Sequence, residues 1–181
     1  MKERYFTTFQ LILLALFAAL IVVAKIALRT PLQLPGHTGI FWMAIIVMAA
    51  GVVTKPGAAS LVGLTSGILA ALLGLGDFGA LDTLLSYTAV GIGTDLAILL
   101  LRSLDSLVVC VLVGALGHFA KFLVKWALGA LVGVPVGFVA LGQARSIVGY
   151  VIFGGLGGLL GGLTLKALRR AGFFAYLAER R

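Results

Sequence analysis

The stretch FQLILLALFAALIVVAKIAL, residues 9–28, decides the class of fold, and Gln10 and Lys25 are its only strongly polar side chains. At 1.5 Å rise per residue it makes about 30 Å of helix, the thickness of a bilayer's hydrocarbon core. The run is therefore expected to span a membrane. Ala15 and Ala19 stand four residues apart with Ala18 alongside, so part of the helix surface is nearly bare backbone. Lipid tails are as apolar as leucine, so helices in a membrane associate by close packing, which small residues permit. Ala15, Ala18 and Ala19 are read as a face on which another helix docks. The chain then breaks at Pro31 and Pro35 and runs through Gly36-His-Thr-Gly39, a stiff polar loop with one histidine.

Composition agrees with this start. Of 181 residues, 61% are hydrophobic and 11% charged, with a mean hydropathy of +1.18. A soluble domain carries about 25% charged residues. An integral membrane protein of one domain, 1–181, is expected, with a short amphipathic tail over 166–181. The net charge of +8 and pI near 10.2 would suggest nucleic acid in a soluble protein. Here the cations flank apolar runs, where they set topology and meet anionic lipid. No nucleic-acid-binding motif accompanies them. Cys110 lies alone in an apolar run, which leaves it a packing role. Lys2 and Arg4 ahead of the first run resemble a signal peptide. The run is too long for an h-region and no A-x-A site follows, so it is expected to stay on the protein.

Five more apolar runs follow, at 40–53, 58–75, 84–101, 104–127 and 146–165, and all four prolines fall outside them. An all-α bundle of six transmembrane helices is expected. The run at 40–53 is short for a crossing, and extending it to 38–54 makes it just long enough. The segment 129–143, broken by Pro135 and several glycines, reads as an extension or re-entrant loop beyond the fifth run. Six spans put both termini on one side of the membrane. That side collects Lys2, Arg4, Lys55, Arg102, Lys166, Arg169, Arg170, Arg180 and Arg181, against Lys25, Arg29, Lys121, Lys125 and Arg145. The positive-inside bias then places both termini in the cytoplasm. Glycines recur four apart at Gly63/Gly67, Gly154/Gly158, Gly157/Gly161 and Gly158/Gly162, each a place for close helix crossing.

Charged groups inside membrane helices are costly and commonly mark a site. His118, Lys121 and Lys125 share one helical face at i, i+3 and i+7. The lysines can snorkel to the interface; His118 is too short for that, so it pairs or lines a wet cavity. Asp95 is the deepest carboxylate of the fourth run, and a contact with His118, direct or through water, is geometrically open. Two readings of Asp95 stand: a structural partner of His118, or a group facing substrate. His37, Trp42, Asp77, Asp82, Tyr87, Gln143, Arg145 and Tyr150 all fall at the outer ends of spans or in outer loops. Trp42 is either an interface anchor or part of a site, and His37 either an exposed loop residue or part of a cover over a cavity mouth. The cytoplasmic half has no equivalent polar set, which implies a pocket open outward and closed below. There is no G-x-x-x-x-G-K-[ST], no H-E-x-x-H or Cys/His cluster and no G-x-S-x-G. These absences speak against ATP hydrolysis by the chain itself, a dedicated metal site, a cofactor or an enzyme.

The loop Leu34-Pro-Gly-His-Thr-Gly-Ile-Phe-Trp42, the turn Lys55-Pro-Gly-Ala-Ala59 and the segment Ser86-Tyr-Thr-Ala-Val-Gly-Ile-Gly-Thr-Asp95 resemble those of the substrate-capture (S) components of energy-coupling factor (ECF) vitamin transporters. Length, six spans and the Ala15-x-x-x-Ala19 face are similar too. The Lys55 turn looks like that of the branch assigned to thiamine or its hydroxymethylpyrimidine precursor. Cobalt and nickel members begin with a Met-His N-terminus, whereas this chain begins Met-Lys-Glu. The resemblance implies a prokaryotic plasma-membrane protein that binds a micronutrient on its outer side, with the loop after the first span as lid. It also implies a transmembrane coupling protein as partner, docking on the small-residue face, and two ATPase subunits. His37, Trp42, Asp95, His118 and Lys121 are the expected substrate contacts. A thiamine-like ligand would suit Asp95, whereas an anionic vitamin would suit His118 and Lys121. A non-transporting six-span scaffold of the cell-shape type is the alternative.

Overall fold

The structure is a computed structural model that describes residues 5–27, 36–76, 79–131 and 136–174, with side chains from 142 onward in the last stretch. Six helices lie among the described residues, with no strand: α1 (Thr8–Ala27), α2 (Gly39–Val52), α3 (Ala58–Leu72), α4 (Ala80–Leu101), α5 (Leu107–Leu131) and α6 (Val136–Arg170). Four of them, α1, α4, α5 and the 142–170 part of α6, are long and apolar enough to cross a membrane. The other two are shorter, α2 with 14 residues and α3 with 15. The expected six spans are thus six helices of which four have full crossing length.

The short α2 is the centre of the bundle. Ten of its fourteen residues are buried, so it is apolar on every side, as a helix enclosed by others must be. It packs on all five other helices. Glycines set how closely they approach. One stripe of α6 meets α5: a Cβ on Gly158 would stand 2.1 Å from the Cys110 carbonyl oxygen, and one on Gly154 2.6 Å from that of Gly114. The next stripe meets α2, where Gly157 and Gly161 lie against the Ile40 and Ala44 carbonyls. A third crossing sets Gly63 of α3 against Gly91 of α4. Side chains there would force the helices apart, and in a membrane that close packing is what holds them together.

Of the two readings of 129–143, the extension fits its described part: α5 runs on to Leu131 and α6 begins at Val136. Over the first part of the expected tail, α6 continues to Arg170, and Phe173 and Phe174 pack back on the core. Residues 1–4, 28–35, 77–78, 132–135 and 175–181 lie outside the description, and with them Lys2, Arg4, Arg29, Asp77 and much of the expected lid.

The register of the crossings gives the bundle two ends. Gly39, His118 and Tyr150 meet at one; the α2–α3 and α4–α5 connections and the last turn of α6 meet at the other.

Candidate functional site: a closed aromatic cluster around His118

At the first end, α2, α4, α5 and α6 bring Trp42, Tyr87, His118, Lys121 and Tyr150 together. All five are buried, His118 completely. Trp42 stacks on Tyr87 with ring centroids 5.4 Å apart and meets the His118 ring edge-on at 5.0 Å. His118 also packs on Tyr150 at 4.7 Å. The Lys121 ammonium stands 4.9 Å from the Trp42 ring centroid and 5.7 Å from that of Tyr87. Lys25, from the end of α1, also lies over the Tyr87 ring, at 5.2 Å. Cations over aromatic faces are stabilised by the ring quadrupole, the more so where water is excluded.

His118 is held by one hydrogen bond, between Nδ1 and the Tyr150 carbonyl oxygen at 2.9 Å. A carbonyl only accepts, so Nδ1 carries the proton and Nε2 presents a lone pair. That Nε2 is buried and has no hydrogen-bond partner among the described residues. Leaving a buried acceptor unmade costs about 1–3 kcal/mol, so it is a natural recipient for a donor on a ligand. Two glycines make the tight fit possible. A Cβ on Gly39 would lie 2.1 Å from His118 Cε1, and Gly36, at φ +80°, lies against both His118 and Tyr150. The Gly36–Thr38 turn, closed by a Gly39 N–H to Gly36 carbonyl bond of 2.8 Å, therefore sits directly on the imidazole. The adjacent cavity, lined by Ala24, Lys25, Thr38, Phe41 and Trp42, measures about 10 Å³, room for little more than one water. Among the described residues, the turn and this small cavity leave the cluster covered.

Of the expected contacts, Trp42, His118 and Lys121 are brought together. His37 lies half-buried in the turn that covers them. Trp42 is 4% exposed, which removes the interface-anchor reading. Lys125 does not simply snorkel but pairs with Asp82 at 3.4 Å, and Arg145 is exposed. Tyr87 and Tyr150 complete the cluster. Sequence reading placed them at this end but missed them as site residues; the signal was the pair of glycines beside His37, which anticipate something bulky against the turn.

Asp95 does not join them: of its two readings, the contact with His118 is not made among the described residues. Its carboxylate accepts from the backbone N–H of Ala59 (3.3 Å) and Ser60 (2.7 Å) and from the Ser60 hydroxyl (2.6 Å). The first turn of a helix leaves N–H groups without intrahelical partners, and its positive dipole end favours an anion. The N-cap residue of α3 is Gly57, which has no side chain to accept them. Asp95 caps α3 from the neighbouring helix. A cavity of about 500 Å³ lies at the opposite end of the bundle, and Asp95 is in its wall. On α1, Ala15 and Ala19 are exposed, whereas Ala18 is fully buried against the core and so lies off their face.

At this end, then, apolar helices enclose an imidazole, an ammonium and three aromatic rings. A crystal structure of an S-component of ECF transporter is similar over 92% of this chain and 85% of its own, with a TM-score of 0.59 and 18% identity. The resemblance read from the sequence thus holds at the level of fold. Residues 7–120, more than half the chain, match the family described as ABC-type cobalt transport system, permease component, and the chain belongs to that family. No curated protein sequence matches it.

Proposed function

We propose that the chain captures a small water-soluble vitamin or vitamin precursor for an ECF-type importer. It would deliver that substrate to a transmembrane coupling protein driven by two ATPase subunits. Six spans, one domain and cytoplasmic termini belong to the same reading, which puts the His118 end outside the cell. One observation carries it: the buried, unpartnered His118 Nε2 inside an aromatic cluster under a glycine turn. Such a site suits a flat heterocycle with an N–H or O–H donor for Nε2. The ring would stack on the Trp42–Tyr87 pair, whose face the Lys121 ammonium now covers, and Lys121 would meet an acceptor or anionic group on the ligand. Binding requires the Gly36–Thr38 turn to lift, which gives the expected lid a physical task.

The family description names cobalt, and a cobalt ion as substrate is the second reading. It fits the residues less well. Among the described residues no group of three or more His, Cys, Asp or Glu stands close enough to hold a metal, and the Lys121 ammonium would repel a cation. Mass spectrometry of small molecules co-purified with the protein decides between them. Calorimetry with thiamine, its hydroxymethylpyrimidine precursor, an anionic vitamin and Co²⁺ follows. His118→Ala is expected to weaken the organic ligand about tenfold or more, the scale of a buried hydrogen bond. Lys121→Met costs about 2 kcal/mol if the ligand is anionic and is silent if it is not. Binding of Co²⁺ alone, lost in His118→Ala, would overturn the vitamin reading.

A further inference from the structure

The cavity of about 500 Å³ at the opposite end has no part in that reading. Its walls include Ala50, Gly51, Ile98, Leu99 and Leu104, and its charged rim is Lys55, Arg102 and Arg169 with Asp95 and Asp105. Both carboxylates are already engaged. Asp95 caps α3. Asp105 is bound by the Ser103 hydroxyl and the Arg169 guanidinium, which hold its carboxyl below the usual carboxylate range. Lys55 is tied to the Tyr5 carbonyl oxygen. Arg102 is exposed, and its guanidinium has no hydrogen bond or ion pair among the described residues.

Arg102 is also the one non-glycine residue with positive φ, +67°, among the described residues. It ends α4 in the left-handed conformation, its N–H on the Ile98 carbonyl. That position is normally glycine, because a Cβ there costs about 1 kcal/mol or more. The backbone conformation alone gives no reason for arginine. The charge does: the turn places a cation at the rim of a cavity whose carboxylates are already hydrogen-bonded within the protein.

The level of the cavity says what occupies it. Tyr5, Phe6, Phe173 and Phe174 surround the same end, with Lys55 and Arg169 over their rings. An exposed tyrosine among basic residues, as Tyr5 is, marks the headgroup layer of a membrane. Leu99, in the cavity wall, is 58% exposed on the side of the bundle, so the cavity is continuous with the lipid-facing surface. We propose that this cavity holds the headgroup phosphate of an anionic phospholipid, with Arg102 as its ligand and the acyl chains running over Leu99. A basic rim at a membrane interface, against an apolar wall, matches a molecule that is anionic at one end and apolar at the other.

The test is calorimetry on the detergent-solubilised full chain with short-chain phosphatidylglycerol, short-chain phosphatidylcholine and inorganic phosphate. Phosphatidylglycerol is expected to bind saturably, and the other two about tenfold more weakly or less. Arg102→Gly should weaken phosphatidylglycerol about tenfold while the melting temperature holds or rises, since glycine adopts the turn without strain. Arg102→Gln, which keeps a long polar side chain, should weaken it as well. Parental affinity in both variants overturns the proposal, as does equal binding of the two lipids. Inorganic phosphate binding as tightly as the lipid overturns it in favour of a soluble phosphate. Absence of saturable lipid binding overturns it too, and leaves an acidic segment of a partner protein as the occupant.

Discussion

At the residue scale, His118 and Asp95 show how one signal covers two roles. Each is a polar group deep in an apolar helix, and each is buried. The carboxylate is spent on architecture, bonding the Ala59 and Ser60 N–H groups that Gly57 cannot reach, whereas the imidazole keeps a lone pair in reserve. Asp95→Ala should therefore destabilise the fold by about 2 kcal/mol, the scale of a lost cap and two orphaned donors, yet leave ligand affinity at the His118 end unchanged. Thermal melting and calorimetry on the same preparation measure both. A tenfold loss of affinity with unaltered melting would return Asp95 to the ligand.

Among the elements, α6 carries two glycine stripes and α1 an exposed pair of alanines. Gly158→Leu drives a side chain into the Cys110 carbonyl and should cost several kcal/mol, beyond the usual ~1–3 for overpacking, because backbone rather than side chain must move. Gly155→Ala is the control: its Cβ would stand 3.3 Å from a Val111 methyl group, so folded yield should stay near the parent's. Similar yields for the two variants would remove the packing argument. For α1, Ala15→Trp with Ala19→Trp should abolish capture of the coupling protein while substrate still binds, since both positions are exposed. Ala18 is excluded from that test because bulk there would disrupt the core. Recovery of the coupling protein at parental yield would move the docking surface elsewhere.

For the whole molecule, the consequence of two distinct ends is a direction across the membrane. The end with Lys55, Arg102, Arg169 and Arg170 carries the larger share of cations and is expected in the cytoplasm. Ser106, exposed in the α4–α5 connection, reports on it. Ser106→Cys should react with a membrane-impermeant maleimide only after the cells are permeabilised; Cys110, 1% exposed, stays silent as background. Labelling of intact cells would invert the molecule and put the His118 cluster inside.

The sequence by itself determined the membrane class, the helical architecture, the glycine crossings and most of the residues around His118. Each of these follows from local composition or from a period along one helix, and hydrocarbon leaves the backbone no alternative to satisfying its own hydrogen bonds. Only the tertiary structure decided which groups meet. A contact between Asp95 and His118 stayed open because depth was counted along separate helices; what Asp95 meets depends on where α3 begins against α4. The short second run looked like a weak span and is the core, because burial on every side comes from five neighbours and not from its own length. The cavity opened at the end where no polar cluster was legible, since a void arises from how connections fail to fill space, and no pattern within one segment encodes that.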